Sequence, residues 1–313
     1  MSSSILTNQS ALTALLALNQ TQQTMNQYEN QISTGLAISS AADNASYWSI
    51  ATNMTSDIGA LGAVSGALSE SSSLLSTTTA ALQSTVSVMD AIKNDLTEAS
   101  NPGANMSAIQ TDISAQQALL FSIGNSANFN GTNLLTNAST AGGAATALGT
   151  VNLVAAYNSN EGTQAVSFIS VNAANTELFD GTTGATNATS ATGGILGTAG
   201  TNSGVSVLSM SISGTTAGST TIANMLADVE TAIQSITTAA STVGGAQTNV
   251  MDQQAFISNL SASLTTGVGA LVDADMNEAS TKIAALQVQQ QLGVQALAIA
   301  NSNTQLILKL FGQ

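Results

Sequence analysis

Two unbroken seven-residue repeats run through this chain. Leu61, Leu68, Leu75, Leu82, Met89 and Leu96 form one, and Val229, Ile236, Val243, Val250, Ile257 and Leu264 form the other. A heptad of apolar residues marks the seam of a coiled coil, because it keeps one stripe of a helix facing a partner over many turns. The repeats lie far apart in sequence, so the spacing predicts two long helices packed antiparallel. The only proline, Pro102, leaves these stretches free to be helical. The first long helix is expected from about residue 44 to 99, the second from near Ile222 toward Leu264. A shorter one, with Ile109, Ile113, Leu119, Leu120 and Ile123, is expected near 105–127, after a turn at Ser100–Gly103.

The two ends of the chain resemble each other in character. Residues 4–34 read as a helix, with Leu12, Leu15, Leu18, Met25, Tyr28 and Ile32 at steps of three, four and seven; Gly35 and residues 39–44 interrupt it. In the last helix, wheel arithmetic groups Val288, Leu292, Ile299, Leu306 and Leu310 on one stripe. It places Ile283, Leu286, Val294, Leu297 and Leu308 on another, roughly opposite. A surface helix needs one apolar stripe. This one has two, together with Gln287, Gln289, Gln290, Gln291, Asn301, Asn303 and Gln305, more amides than the core of a single domain accommodates. A helix sandwiched between copies of the same chain satisfies both observations. The expected assembly interface is Leu12, Leu15, Leu18, Met25, Ile32, Val288, Leu292, Val294, Leu297, Ile299, Leu306 and Leu310. Both ends are expected to be disordered in the monomer and to fold on assembly.

Between about 138 and 220 the composition shifts to Gly, Ser, Thr, Asn and Ala, with short alternating apolar sets. Val166 and Phe168 fit such a set, and the alternation across Val205–Ile212 suggests a strand. The whole is mainly α: a long antiparallel coiled-coil rod with paired terminal helices and a small β-rich or irregular insert. The expected divisions are a terminal coiled-coil domain (1–42 with 271–313), a helical rod (43–139 with 216–270) and a surface-exposed insert (140–215).

Composition excludes most chemistry. With 17 acidic residues, three lysines, no arginine and a net charge of −14, the chain is unsuited to nucleic acid or anionic membranes, which demand clustered cations. It has no cysteine and no histidine, so thiol nucleophiles, disulfides, Ser-His-Asp triads and ordinary zinc sites are closed to it. No cofactor, metal or catalytic residue is expected. Asp273, Asp275 and Glu278 read as helix-start charges rather than a cation site. Ser71–Ser73 and Thr77–Thr79 read as a polar rod face. Residues 182–221 read as a solvated surface, with acceptance of O-linked sugars the alternative. Tyr47 and Trp48, beside the bend, are expected to pack a junction between layers. The N-terminus lacks the basic and long apolar regions of a secretory signal, which suggests a soluble chain or export without cleavage.

Three segments resemble flagellins, in the version typical of alphaproteobacteria. They are residues 5–54 (ILTNQSALTALLALNQ… to …SIATNM), FNGTNLL at 129–135, and LVDADMNEASTKIAALQVQQQLGVQALAIANSNTQLILKLFG at 271–312. The resemblance implies a non-enzymatic subunit that polymerises with itself into the extracellular flagellar filament for swimming. Paired termini would form inner tubes, rod helices an outer tube, and the insert would face solvent. It further implies type III export of an unfolded chain, with a chaperone, a cap and junction proteins as partners. The alternatives are a hook–filament junction protein, which shares the terminal helices, and a secreted helical adhesin or translocator. This sequence departs from the family pattern at basic positions, with Ala37 and Ala270 where a basic residue is usual. The segment that an innate receptor reads in many flagellins is here VMDAIKNDL (88–96), without arginine.

Overall fold

A computed structural model describes residues 8–138, 149–160, 163–181 and 188–311. In chain order its elements are helices α1 (Gln9–Thr34), α2 (Ala45–Ala99) and α3 (Met106–Ser126), then six strands and a short helix. The strands are β1 (Asn128–Phe129), β2 (Thr132–Asn133), β3 (Thr136–Ala138), β4 (Thr150–Asn160), β5 (Thr163–Asn172) and β6 (Phe179–Gly181). A one-turn helix α4 (Gly194–Gly197) precedes the long helices α5 (Thr220–Val272) and α6 (Met276–Phe311). The chain divides into two compact units, residues 1–59 with 261–313 and residues 60–260.

In the second unit the helix ends follow from local chemistry. Asn105 caps α3 by accepting the Ala108 N–H, and Pro102 with Gly103 keeps the chain from continuing α2. Helices α2 and α5 pack antiparallel, as the paired heptads predict. Gln254 Nε2 donates to Ser69 Oγ at 2.8 Å, and Lys93 forms an ion pair with Glu230. The step forward from Ser69 to Lys93 thus equals the step back from Gln254 to Glu230.

The heptad residues Leu68, Leu75, Leu82, Met89 and Leu96 are fully buried, and so are Val229, Ile236, Val243 and Val250. The seam is wider than those repeats. A second column on α2 (Val64, Ser71, Thr78, Thr85, Ile92, Ala99) and one on α5 (Met225, Ala232, Ala239, Ala246) are buried as well. Ser71, Thr78 and Thr85 are therefore seam residues, not part of a polar outer face. Each turns its hydroxyl back onto its own helix, to the carbonyls of Ala67, Leu74 and Ala81, which removes the cost of burying it.

The segment after α3 turns on Asn130-Gly131. Both residues have positive φ (51° and 84°), the type I′ geometry that joins β1 to β2 in register. Strands β3 and β6 pair parallel, and β4 and β5 form an antiparallel ribbon with a bulge at Ala155. Val151 and Leu153 of β4 line a cleft with Ala67, Ser71 and Leu74 of α2. Phe179 stacks on Phe121 of α3, with ring centroids 5.2 Å apart. A Cβ on Gly124 would fall 2.5 Å from Phe179 Cε1, so the ring sits against bare helix backbone.

The strand expected across Val205–Ile212 is not there. The segment is a 3-10 turn (Val207–Ser209) in irregular backbone, docked on α3. Gln117, itself buried, donates its amide to the carbonyls of Val207 and Met210, while Gln110 Oε1 accepts the Ile212 N–H. Side-chain amides thus do the work of a neighbouring strand, and Leu208, Met210 and Ile212 are buried without a ladder.

In the first unit, α1 and α6 also pair antiparallel. Asn8 Nδ2 donates to the Ala300 carbonyl, and Gln290 Nε2 to Gln22 Oε1 at 2.7 Å. Gly35 ends α1 in the left-handed conformation (φ 75°), donating its N–H to the Gln31 carbonyl. The chain then lies along the α5–α6 corner, where Ala37 and Ile38 donate to the Val272 carbonyl and Ala274 donates to that of Gly35. Asp43 draws in the bend by accepting from the backbone and hydroxyls of Ser39 and Ser40, bonds that hold its carboxyl below the usual range.

Candidate assembly surface

The α1–α6 pair is built from alternating steps of three and four residues. The shielded positions on α1 include Ala11, Ala14, Leu18, Thr21, Met25, Tyr28 and Ile32, and on α6 they include Ile283, Leu286, Gln290, Gly293, Leu297 and Ala300. Leu18 lies over Gly293, where an added Cβ would make an ordinary contact, 3.4 Å from Leu18 Cδ1. This is a coiled-coil seam of small, amide and aliphatic residues.

Of the residues expected at the assembly interface, Leu18, Met25, Ile32 and Leu297 lie in this intramolecular seam. Leu12, Leu15, Val288, Leu292, Val294 and Ile299 lie outside it, 47% to 64% exposed, together with Leu16. Val294 is grouped by wheel arithmetic with Ile283, Leu286 and Leu297. It falls off the seam because the 3-4 spacing passes through Gly293. Leu306 and Leu310 belong to α6, but their side chains lie outside the described residues.

Apart from Val294, which stands beside the seam, the exposed set forms a second apolar stripe, and its neighbours carry almost no charge: Glu29 within 1–42, and Glu278, Lys282 and Lys309 within 276–313. Such a surface buries readily against another like it, since no ions need desolvating. Tyr47 and Trp48 at the start of α2 are also exposed. Asp275 has the capping role expected of it, accepting from the N–H groups of Asn277 and Glu278. Among the described residues no group of three or more acidic side chains is placed to hold a metal ion. Helix α5 is long and apolar enough to cross a bilayer by length and composition, and 11% of its most apolar stretch is buried; its seam columns from Met225 to Ile257 are buried within the second unit.

Sequence comparison decides the family. The bacterial flagellin N-terminal helical region matches residues 5–140, and the flagellin C-terminal helical region matches residues 226–311. The chain belongs to the flagellin family. It is 41% identical to a flagellin of Brucella melitensis over 98% of this chain and 99% of the relative. Identity to Flagellin C of Rhizobium meliloti is 37% at the same coverage, and to Flagellin FljM of Caulobacter vibrioides 31%, over 98% of each. As a flagellin it is a structural subunit of the bacterial flagellar filament, an extracellular appendage. The two family regions of this flagellin take in α1, α2 and α3 at one end and most of α5 with α6 at the other.

Proposed function

We propose that this flagellin polymerises by burying the outer stripe of its α1–α6 pair against other copies. Leu12, Leu15, Leu16, Val288, Leu292 and Ile299 are the contacts that drive it, with Val294, exposed at the edge of the seam, as a further contact. The observation that carries this reading is the division of apolar residues on both helices: one stripe is spent on the partner helix, the other is open. Each fully buried aliphatic side chain contributes about 1.5–3 kcal/mol, so a lateral contact using several of them on both faces is strong when repeated along a filament. The terminal coiled coil then belongs to residues 1–42 with 271–313, the helical body to 43–139 with 216–270, and the solvent-facing insert to 140–215. The termini gain their final order on assembly, because a pair with one open stripe leaves half its apolar surface wet.

Export as an unfolded chain through the flagellar type III machine, with a chaperone, and addition at the tip beneath a cap complete the reading. The absence of cysteine supports threading, since no disulfide can form to block it. The test is seeded growth. Monomer supplied with filament fragments extends them, whereas the double variant Val288→Asp/Leu292→Asp does not, and its second unit still melts as in the wild type. Long filaments grown from that variant, or from a chain lacking residues 1–42 and 271–313, would overturn the proposal.

A further inference from the structure

Two buried polar atoms at the α2–α3 contact have nothing to bond. Asp95 on α2 stands beside Ile92 and Leu96, and Gln116 on α3 stands between Ile113 and Leu120, all four fully buried. The Gln116 side chain acts on the titration of the Asp95 carboxyl, which puts the two groups within reach of each other. Yet Asp95 Oδ2 and Gln116 Oε1 are both buried and without a partner. Both are acceptors, so they cannot satisfy each other. A proton on the carboxyl changes that. A carboxylic acid and a primary amide close a ring in which the amide N–H donates to one carboxyl oxygen and the acid O–H donates to the amide oxygen. The unpaired atoms are the two that such a ring requires.

The charged groups bearing on Asp95 are both acidic, Asp112 on α3 and Glu98 on α2. From α5, Glu230 faces this end of α2 but is taken up by Lys93. We propose that Asp95 and Gln116 form a proton-operated latch: a proton taken up at Asp95 Oδ2 is donated to Gln116 Oε1, closing an acid–amide ring that tightens α3 on α2. The direction of the titration agrees. Burial raises the carboxyl above its ordinary 3.8, a hydrogen bond from Gln116 opposes this, and Asp112 and Glu98 add to the rise. A group that holds its proton more firmly folded than unfolded adds stability as pH falls from the folded value toward 3.8, and loses it as pH climbs back.

Thermal melts of the full-length chain at pH 7.5 and 4.5 test the latch. Asp95→Asn imitates the closed ring, because its amide can donate to Gln116 Oε1 without taking up a proton. It raises the melting temperature at pH 7.5 by about 2–4 °C, the shift expected of one recovered buried hydrogen bond in a domain of this size, and narrows the difference between the two pH values. Asp95→Leu removes the charge but offers no donor, and gains less. The double variant Asp95→Asn/Gln116→Leu loses the gain. No gain in Asp95→Asn, an equal gain in Asp95→Leu, or a gain undiminished by Gln116→Leu would overturn the latch, the last two pointing to relief of charge alone.

Discussion

Asp228 and Glu177 are both buried carboxylates, 5% and 8% exposed, whose surroundings act in opposite directions. Asp228 on α5 receives the N–H groups of Asn202 and Ser203 and the Asn202 side-chain amide, at 2.7–3.1 Å. Burial pushes its carboxyl up, but these bonds prevail and hold it below its ordinary 3.8. The stability it contributes is therefore present above that value and lost as pH falls through the folded one. Asp228→Ala leaves those donors unpaired under the insert. It costs about 1–3 kcal/mol at neutral pH, read by urea denaturation, and the cost shrinks in acid. Glu177 is raised instead, by burial first and then by Asp180. Its charged form penalises the fold as pH rises above 4.5 through the folded value. Glu177→Gln accordingly raises the neutral-pH melting temperature, and the advantage over wild type vanishes by about pH 4.

At the scale of elements, the α2–α5 seam joins large aliphatic residues to columns of Ser, Thr and Ala. Leu82→Ala opens a cavity among fully buried neighbours and costs about 2–5 kcal/mol. Ala239→Leu overfills the small column and costs about 1–3 kcal/mol. Thr78→Val is close to neutral, because the hydroxyl it removes bonds only its own helix at Leu74. Chemical denaturation of the three variants checks this ranking; a Thr78→Val loss as large as that of Leu82→Ala would assign the hydroxyl a role across the seam. The same contrast marks what was legible in the sequence. Leu61 through Leu96 announce one column by hydropathy alone. Ser71, Thr78 and Thr85 carry no such signal, since only their register places them inside. Val205–Ile212 misled for a related reason. Alternation showed which side chains are buried, but the backbone partners are Gln110 and Gln117, side chains on a helix about 100 residues earlier. At the assembly surface both stripes of α6 were visible, while their division turned on Gly293, a residue with no side chain to detect.

At the scale of the whole molecule, charge is distributed as sharply as hydropathy. Of the 17 acids, 15 lie between residues 43 and 275, and the only lysine in that span, Lys93, is already paired with Glu230. A lone chain tolerates this, since exposed acids stay hydrated and apart. A filament built as proposed does not, because each added copy brings like charges toward its neighbours with almost no cations to offset them, while the apolar stripes of α1 and α6 would draw the copies together. Association is thus a contest between an attraction that simple salt hardly changes and a repulsion that it screens. The Debye length falls from about 30 Å at 0.01 M to about 8 Å at physiological strength, and further above it, so repulsion between acids on adjacent copies fades over that range. The melting temperature of filaments should therefore rise between about 0.01 and 0.5 M sodium chloride, most steeply at the low end. The monomer, without neighbours to repel, should change less. Chloride is the right salt, because sulfate also strengthens apolar burial and would raise both. A filament melting temperature unchanged over this range, or a monomer shift equal to that of the filament, would show that repulsion between subunits does not limit the assembly.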